Sequence, residues 1–189
     1  MKIVSLFGSP RENGNTAKVL GWVEDQLVTK GCEIDRINIT EYNVNGCNGC
    51  YSCQENYDEP GCIQQDDAVS IIERMMDGDV LIYASPLYCW GYTSQIKPII
   101  DRHFCVVTGY GSANYNSLLA DKKSGLLVTC GGPEERNSEY IKGMYKSLMG
   151  YIQCKVEGML VVPNTTTPDT LSEDVKQKAI KFANNLIGK

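Results

Sequence analysis

The apolar, β-prone run Lys2-Ile3-Val4-Ser5-Leu6-Phe7 passes directly into Gly8-Ser9-Pro10-Arg11-Glu12-Asn13-Gly14-Asn15-Thr16, and a helical stretch, Ala17 to Lys30, follows. Strand, then a loop of glycine, hydroxyl and amide residues, then helix is the opening unit of an α/β fold. The same unit makes an anion site. The first turn of a helix has N–H groups without intrahelical partners, and the helix dipole favours negative charge there. Ser9, Asn15 and Thr16 add side-chain donors, and Arg11 adds a positive charge.

Strands and helices go on alternating. The pattern predicts strands over Glu33–Ile39, Asp79–Ala84, Ser124–Thr129 and Lys155–Val162. It predicts helices over Ala68–Met76, capped by Asp66 or Asp67, then from about Ser94 to Phe104, over Arg136–Met149 and over Leu171–Ile187. Thr40 to Gln65 is a long irregular excursion, residues 106–121 read as a loop, and Pro163–Pro168 reads as a turn-rich connection. Five strands alternating with helices imply a parallel sheet with right-handed crossovers and helices on both faces. Such sheets bind ligands beyond the carboxyl ends of their strands, at the topological switch point. The loops 8–16, 85–92 and 129–133 all leave strand ends, so a crevice where they meet is the expected site. No repeat or linker divides residues 1–189, which read as one domain.

Net charge is −5, which argues against a nucleic-acid partner needing a basic face. It also leaves a bound phosphate to local donors. No apolar run approaches the roughly 20 residues of a membrane span. The N-terminus reads as a strand rather than a signal peptide, so a cytoplasmic location is expected. Nine cysteines in such a chain point to metal or redox use before a disulfide scaffold.

Spacing narrows the phosphate. A triphosphate-binding loop reads G-x4-G-K-[ST]. Here five residues separate Gly8 from Gly14, and Asn15 stands where the lysine would be. The dinucleotide fingerprint G-x-G-x-x-G is absent. A cup rich in hydroxyls and amides remains, suited to one terminal phosphomonoester such as that of FMN. The other loops suit a flat ring. Tyr88, Trp90 and Tyr92 follow Pro86 closely, and Gly131 and Gly132 let backbone N–H groups approach a ring edge.

Gly8–Thr16, Ser85-Pro86-Leu87-Tyr88 and Lys97-Pro98-Ile99-Ile100-Asp101-Arg102, in that order over most of the chain, resemble the flavodoxin-like NADPH-dependent FMN reductases. The resemblance implies a three-layer α/β sandwich whose five parallel strands run in the order 2-1-3-4-5. It places Ser9, Arg11, Asn15 and Thr16 at the FMN phosphate. Pro86, Leu87, Tyr88 and Trp90 would line the flavin, with Thr129, Cys130, Gly131 and Gly132 at the isoalloxazine. NAD(P)H is the implied electron donor, with free flavin, quinones or a ferredoxin among the acceptors. Because the 40–65 and 105–121 segments are long for compact connections, a homodimer or homotetramer is expected.

Cys47, Cys50, Cys53 and Cys62 give C-x2-C-x2-C-x8-C. Three thiols at this spacing can converge on one small volume. The pattern is closer to a compact iron–sulfur binder than to the paired C-x2-C halves of zinc sites. Spare thiols, a reversible disulfide and zinc are the other readings. The chain here resembles the iron–sulfur flavoproteins, which implies a 4Fe–4S cluster on these four residues, although the last gap is longer than the compact pattern. An electron carrier without an enzymatic activity is then the second reading. Cys32, Cys105 and Cys154 read as core or near-surface thiols, and Cys89 and Cys130 as thiols on the site loops. His103 reads as a helix-surface or capping residue, and Asp101 with Arg102 as a structural ion pair or helix-terminus contact.

Overall fold

The computed structural model describes residues 1–188. Strands β1 (Lys2–Phe7), β2 (Glu33–Asn38) and β3 (Val80–Pro86) alternate with helices α1 (Asn15–Thr29) and α2 (Ala68–Asp77). Helix α3 (Lys97–Asp101) follows, then the short strands β4 (Val107–Thr108) and β5 (Asn116–Ser117). Strand β6 (Lys123–Thr129), helix α4 (Glu139–Tyr151), strand β7 (Lys155–Val162) and helix α5 (Glu173–Leu186) complete the order.

The large sheet is fully parallel, in the order β2-β1-β3-β6-β7. Counting only its five strands, this is the expected 2-1-3-4-5. The fold is flavodoxin-like α/β. Its central strands are buried along nearly their whole length, as a sheet covered on both faces requires. On one face Ile3, Phe7, Ile82 and Leu127 pack against Leu20 and Val23 of α1 and Phe182 and Leu186 of α5. On the other, Val4, Leu81, Tyr83 and Leu126 pack against α2, α3 and α4 through Ile71, Met75, Ile99, Ile141 and Tyr145. Helix α5 approaches β6 so closely that a Cβ on Gly125 would lie 2.6 Å from Leu186 and 2.7 Å from Phe182.

Several local expectations are corrected. The helix expected from Ser94 starts at Lys97, with Pro98 in its first turn, and continues beyond Asp101 as a 3₁₀ segment, Arg102–Val106. The loop expected over 106–121 contains the antiparallel pair β4–β5. Helix α4 starts at Glu139, because Arg136 adopts the left-handed region (φ 55°) and breaks any earlier turn. Ser172 caps α5, its hydroxyl accepting from Val175 N–H at 3.4 Å, so that helix starts later than Leu171.

His103 and Arg102 are both 1% exposed, so neither is a surface residue. Asp101 pairs with Lys97 and Arg102 with Asp66, in place of each other. Neighbours i and i+1 point to different sides of a helical turn, and so cannot pair across it. Among the described residues no helix is long and apolar enough to cross a membrane.

Candidate functional site

The carboxyl ends of β1, β3 and β6 open on one cleft. Its floor begins at Gly8, whose N–H donates to Ala84 O at 2.8 Å and ties β1 to β3. A Cβ there would lie 2.6 Å from that of Ile96, so glycine is what lets the chain leave the sheet at this point. Ser9 Oγ then accepts from Arg11 N–H (3.1 Å) and donates to Arg11 O (3.2 Å), folding the loop back on itself. Gly14 precedes α1, and no side chain caps the helix. Its first-turn N–H groups are therefore left for an incoming acceptor. Ser9, Arg11, Gly14, Asn15 and Thr16 all line the cleft.

Two hydroxyls join this loop to the end of β6: Thr16 Oγ1 and Thr129 Oγ1 are 2.7 Å apart and buried. Asn15 donates through Nδ2 to Thr166 O (3.2 Å), while its Oδ1 is buried with no hydrogen-bond partner. The wall is Pro86, Leu87 and Tyr88 on one side and Thr129, Cys130 and Gly131 on the other. Leu87 N–H donates to Thr129 O at 2.9 Å and holds the two walls together. Burial, and then the Glu134 carboxylate, push the Cys130 thiol up, so it stays protonated at neutral pH.

The cysteines form a second cavity. Cys47, Cys50, Cys53 and Cys62 line it together with Cys105, Arg102 and Phe104. Cys47 and Cys50 are exposed, Cys62 is half-buried, and Cys53 and Cys105 are buried. The left-handed Gly49 and Tyr51 (φ 64° and 62°) wind the chain around it. Gln54 fixes the segment in place. Its Nε2 donates to Phe104 O (3.1 Å) and Val107 O (2.9 Å), and its Oε1 accepts from Tyr110 N–H (3.4 Å).

Arg102 Nη1 donates to Asp66 Oδ2 (2.8 Å) and Asn45 O (3.1 Å). Burial raises the Asp66 carboxyl, but Arg102 and the N–H groups of Asn45 and Ala68 outweigh it and hold the pKa below the usual range. Backbone and side-chain hydrogen bonding at Ser52 lowers the exposed Cys50 thiol, while burial pushes Cys105 up to about 12. Among the described residues no three His, Cys, Asp or Glu side chains close on a single-ion position. The donor set, four or five sulfurs spread around one cavity beside a guanidinium with unpaired buried N–H groups, fits a larger, anionic, sulfur-bound group.

A family model for NADPH-dependent FMN reductases matches residues 1–156. The chain belongs to this family. It is 33% identical over 138 residues to an iron-sulfur flavoprotein of Archaeoglobus fulgidus, covering 71% of this chain and 58% of that protein. It is 34% identical over 102 residues to an iron-sulfur flavoprotein of Methanosarcina thermophila, covering 54% and 52%. The chain thus spans about half to three-fifths of the length of these curated relatives. In fold it is similar to an NAD(P)H:quinone oxidoreductase from Methanothermobacter marburgensis, with TM-score 0.72, 15% identity, and coverage of 100% of this chain and 99% of that one.

In this FMN reductase family member, ten of the twelve residues expected at the cofactor border the cleft. Trp90 and Gly132 do not. Tyr88 and Gly91 exchange backbone hydrogen bonds around the left-handed pair Cys89 and Trp90 (φ 47° and 62°). This tight turn leaves Trp90 58% exposed in a separate depression with Arg136 and Tyr140. A Cβ on Gly132 would lie 3.1 Å from Asn137, outside the cleft. Cys89 is exposed and also lies off the cleft lining.

Sequence reasoning missed Thr165 and Thr166, which border the cleft after β7. Thr165 donates to Cys130 O through both N–H (2.9 Å) and Oγ1 (3.1 Å). Hydroxyls just past a strand's carboxyl end were the available signal, the same one read at Ser9. His103 lies in neither site. Its Nδ1 faces Ile99 O (2.7 Å) and its Nε2 faces Tyr83 OH (2.8 Å), and burial lowers its pKa to about 4.

Proposed function

We propose that this chain is an FMN-binding oxidoreductase that passes electrons from NAD(P)H to flavin, quinone or a similar small acceptor, with residues 1–189 acting as one FMN-binding domain. The observation that carries this reading is the convergence of three strand-end loops on one cleft with an uncapped helix N-terminus at its floor.

The first-turn N–H groups of α1 and the hydroxyls of Ser9 and Thr16 would hold the FMN phosphate, with the Arg11 charge at the cleft margin. Asn15 Oδ1, buried and lacking a donor, suits a ribityl hydroxyl. Pro86, Leu87 and Tyr88 would cover the ring. The backbone at Thr129, Cys130 and Gly131 would meet its polar edge, where an N–H favours negative charge. Cys130 stays a neutral thiol and adds no opposing charge. FMN, when bound, accepts hydride from the nicotinamide and can release electrons singly or in pairs.

The cysteine cavity favours a second component. Cys47, Cys50, Cys53 and Cys62 would ligate a 4Fe–4S cluster, and electrons would then leave one at a time to a ferredoxin or another one-electron partner. Four cysteine side chains and an underused buried cation lining one cavity support that component. A homodimer or homotetramer would enclose the long 40–65 and 105–121 segments.

Anaerobic purification, an absorption spectrum, and iron and sulfide assays test the assignment. Flavin bands with iron and sulfide are expected. A protein that cannot take up FMN would sink the proposal, and flavin bands without iron would leave only the simple reductase. Rapid mixing with NADH and NADPH separates enzyme from carrier, and light scattering gives the oligomer.

A further inference from the structure

Arg102 carries more hydrogen-bonding capacity than the fold uses. A guanidinium has five N–H donors and no acceptor. Only Nη1 is engaged, and it takes both protein partners, Asp66 Oδ2 and Asn45 O. Nε and Nη2 are buried with no partner at hydrogen-bonding distance, although the Cys62 side chain lies near enough to the guanidinium to favour its charged form. Asp66 does not serve them: Oδ2 takes Nη1 and Asn45 N–H (2.9 Å), Oδ1 takes Ala68 N–H (3.1 Å), and neither oxygen is a partner of Nε or Nη2. Leaving buried donors of a charged group unmade is unfavourable, so a deficit of this kind calls for an acceptor from outside the chain's own side chains.

The wall that Arg102 shares identifies the acceptor's chemistry. Cys47, Cys50, Cys53, Cys62 and Cys105 line the same cavity, whereas Asp66 does not. A guanidinium on the wall of a cavity lined by sulfur attracts an anionic, sulfur-rich group.

We propose that Arg102 is a positioning residue of the cysteine cavity, whose free Nε–H and Nη2–H donate to the sulfur atoms of a thiolate-bound iron–sulfur group and make that group easier to reduce. The inference rests on the cluster assignment above. One-electron reduction adds one unit of negative charge to the group, breaks no bond and moves no proton. The cation beside it therefore favours the reduced form, and hydrogen bonds to cluster sulfurs act in the same direction. A lysine could not replace it fully. Its single ammonium would be spent on Asp66 and Asn45, with no planar fork left to reach the cavity.

A purely structural role is the competing account. Arg102 would then only tie Asn45 and the start of α2 together through Asp66. Its loss would lower stability and leave the reduction potential unmoved.

The test uses the full chain, reconstituted anaerobically with FMN, ferrous iron and sulfide. Four proteins are compared: wild type, Arg102→Lys, Asp66→Asn, and the double variant Arg102→Gln/Asp66→Asn. The double variant keeps a neutral hydrogen-bonded pair and so avoids a buried unpaired charge. Iron and sulfide content, melting temperature and the midpoint from a dithionite titration followed by electron paramagnetic resonance are measured.

The double variant is expected to drop the midpoint by at least the one-electron equivalent of a tenfold change, about 59 mV. Arg102→Lys should move it in the same direction but less. Asp66→Asn keeps both free donors, and should melt lower without lowering the midpoint. Loaded variants with the wild-type midpoint would overturn the role of Arg102 and leave the cluster assignment standing. Wild type that takes up no iron or sulfide would overturn both.

Discussion

The strand-end cleft and the cysteine cavity sit in the same chain but are held in shape by different means. Around the cleft the sheet's own backbone does most of the positioning. Gly8 N–H to Ala84 O, Leu87 N–H to Thr129 O and Thr165 N–H to Cys130 O each join adjacent strand ends. Around the cavity the fixing groups are side chains on irregular segments, above all Gln54 and the buried Arg102–Asp66 pair. A site on strand ends inherits its geometry from sheet register, and one mutation alters its chemistry more than its shape. A site held by buried side chains fails as a unit when one of them is removed.

The sharpest way to break this comparison is Arg102→Met. It leaves the Asp66 carboxylate buried without its cation, which costs about 3–5 kcal/mol. Urea unfolding should show that loss. FMN uptake by the fraction still folded should match wild type, and an equal loss of FMN affinity would show the two sites to be one cooperative unit.

His103 offers a pH axis. Its pKa is about 4 when folded and near 6.5 when unfolded, so the unfolded chain binds the proton more readily between those values. Its contribution is complete above pH 6.5 and is lost as pH falls towards 4, amounting to about 3 kcal/mol. Denaturant curves at several pH values should show His103→Gln losing less stability over that window than wild type does.

Thr16→Val removes a hydroxyl from the cleft while keeping its volume. We expect FMN affinity to fall by about 10–100-fold, the value of one hydrogen bond to a charged group. Fluorescence titration measures this, and iron content should not change. Gly8→Ala places a methyl against Cβ and Cγ2 of Ile96 and should cost about 1–3 kcal/mol by urea unfolding, and Ile96→Val, which keeps both atoms, should recover little of it. The smallest effect is at Ser172, remote from both sites. Ser172→Ala loses the α5 cap and about 1 kcal/mol, with both cofactor assays unchanged.

The cleft was largely legible in the sequence because its signals are local. Gly8 to Thr16 carries glycine, hydroxyls and a helix start in one stretch, and the strand-end rule brings residues 86–88 and 129–131 to it. Thr165 and Thr166 are not legible in this way, because residues 163–168 read as a plain turn and only the pairing of β7 with β6 brings them to the cleft. The cavity was legible only as a cluster of thiols. Its cation was not, since Arg102 and Asp66 are 36 residues apart and adjacency suggested Asp101 as the partner. His103 was misplaced for a related reason. The change from α-helix to 3₁₀ helix after Asp101 lets it face Tyr83, and no hydrophobic period marks that change.

The Gln54 clamp has a consequence for the order in which the molecule assembles. Its two amide hydrogen bonds join residues 50 and 53 positions apart. Closing so long a loop is entropically unfavourable until the intervening segments are in place, so contacts of this kind form late. Helix α2 and strand β3 lie inside that loop and must pack first. The thiols are therefore gathered only on a nearly finished scaffold, and a nascent chain reaches its sheet before it completes the cavity.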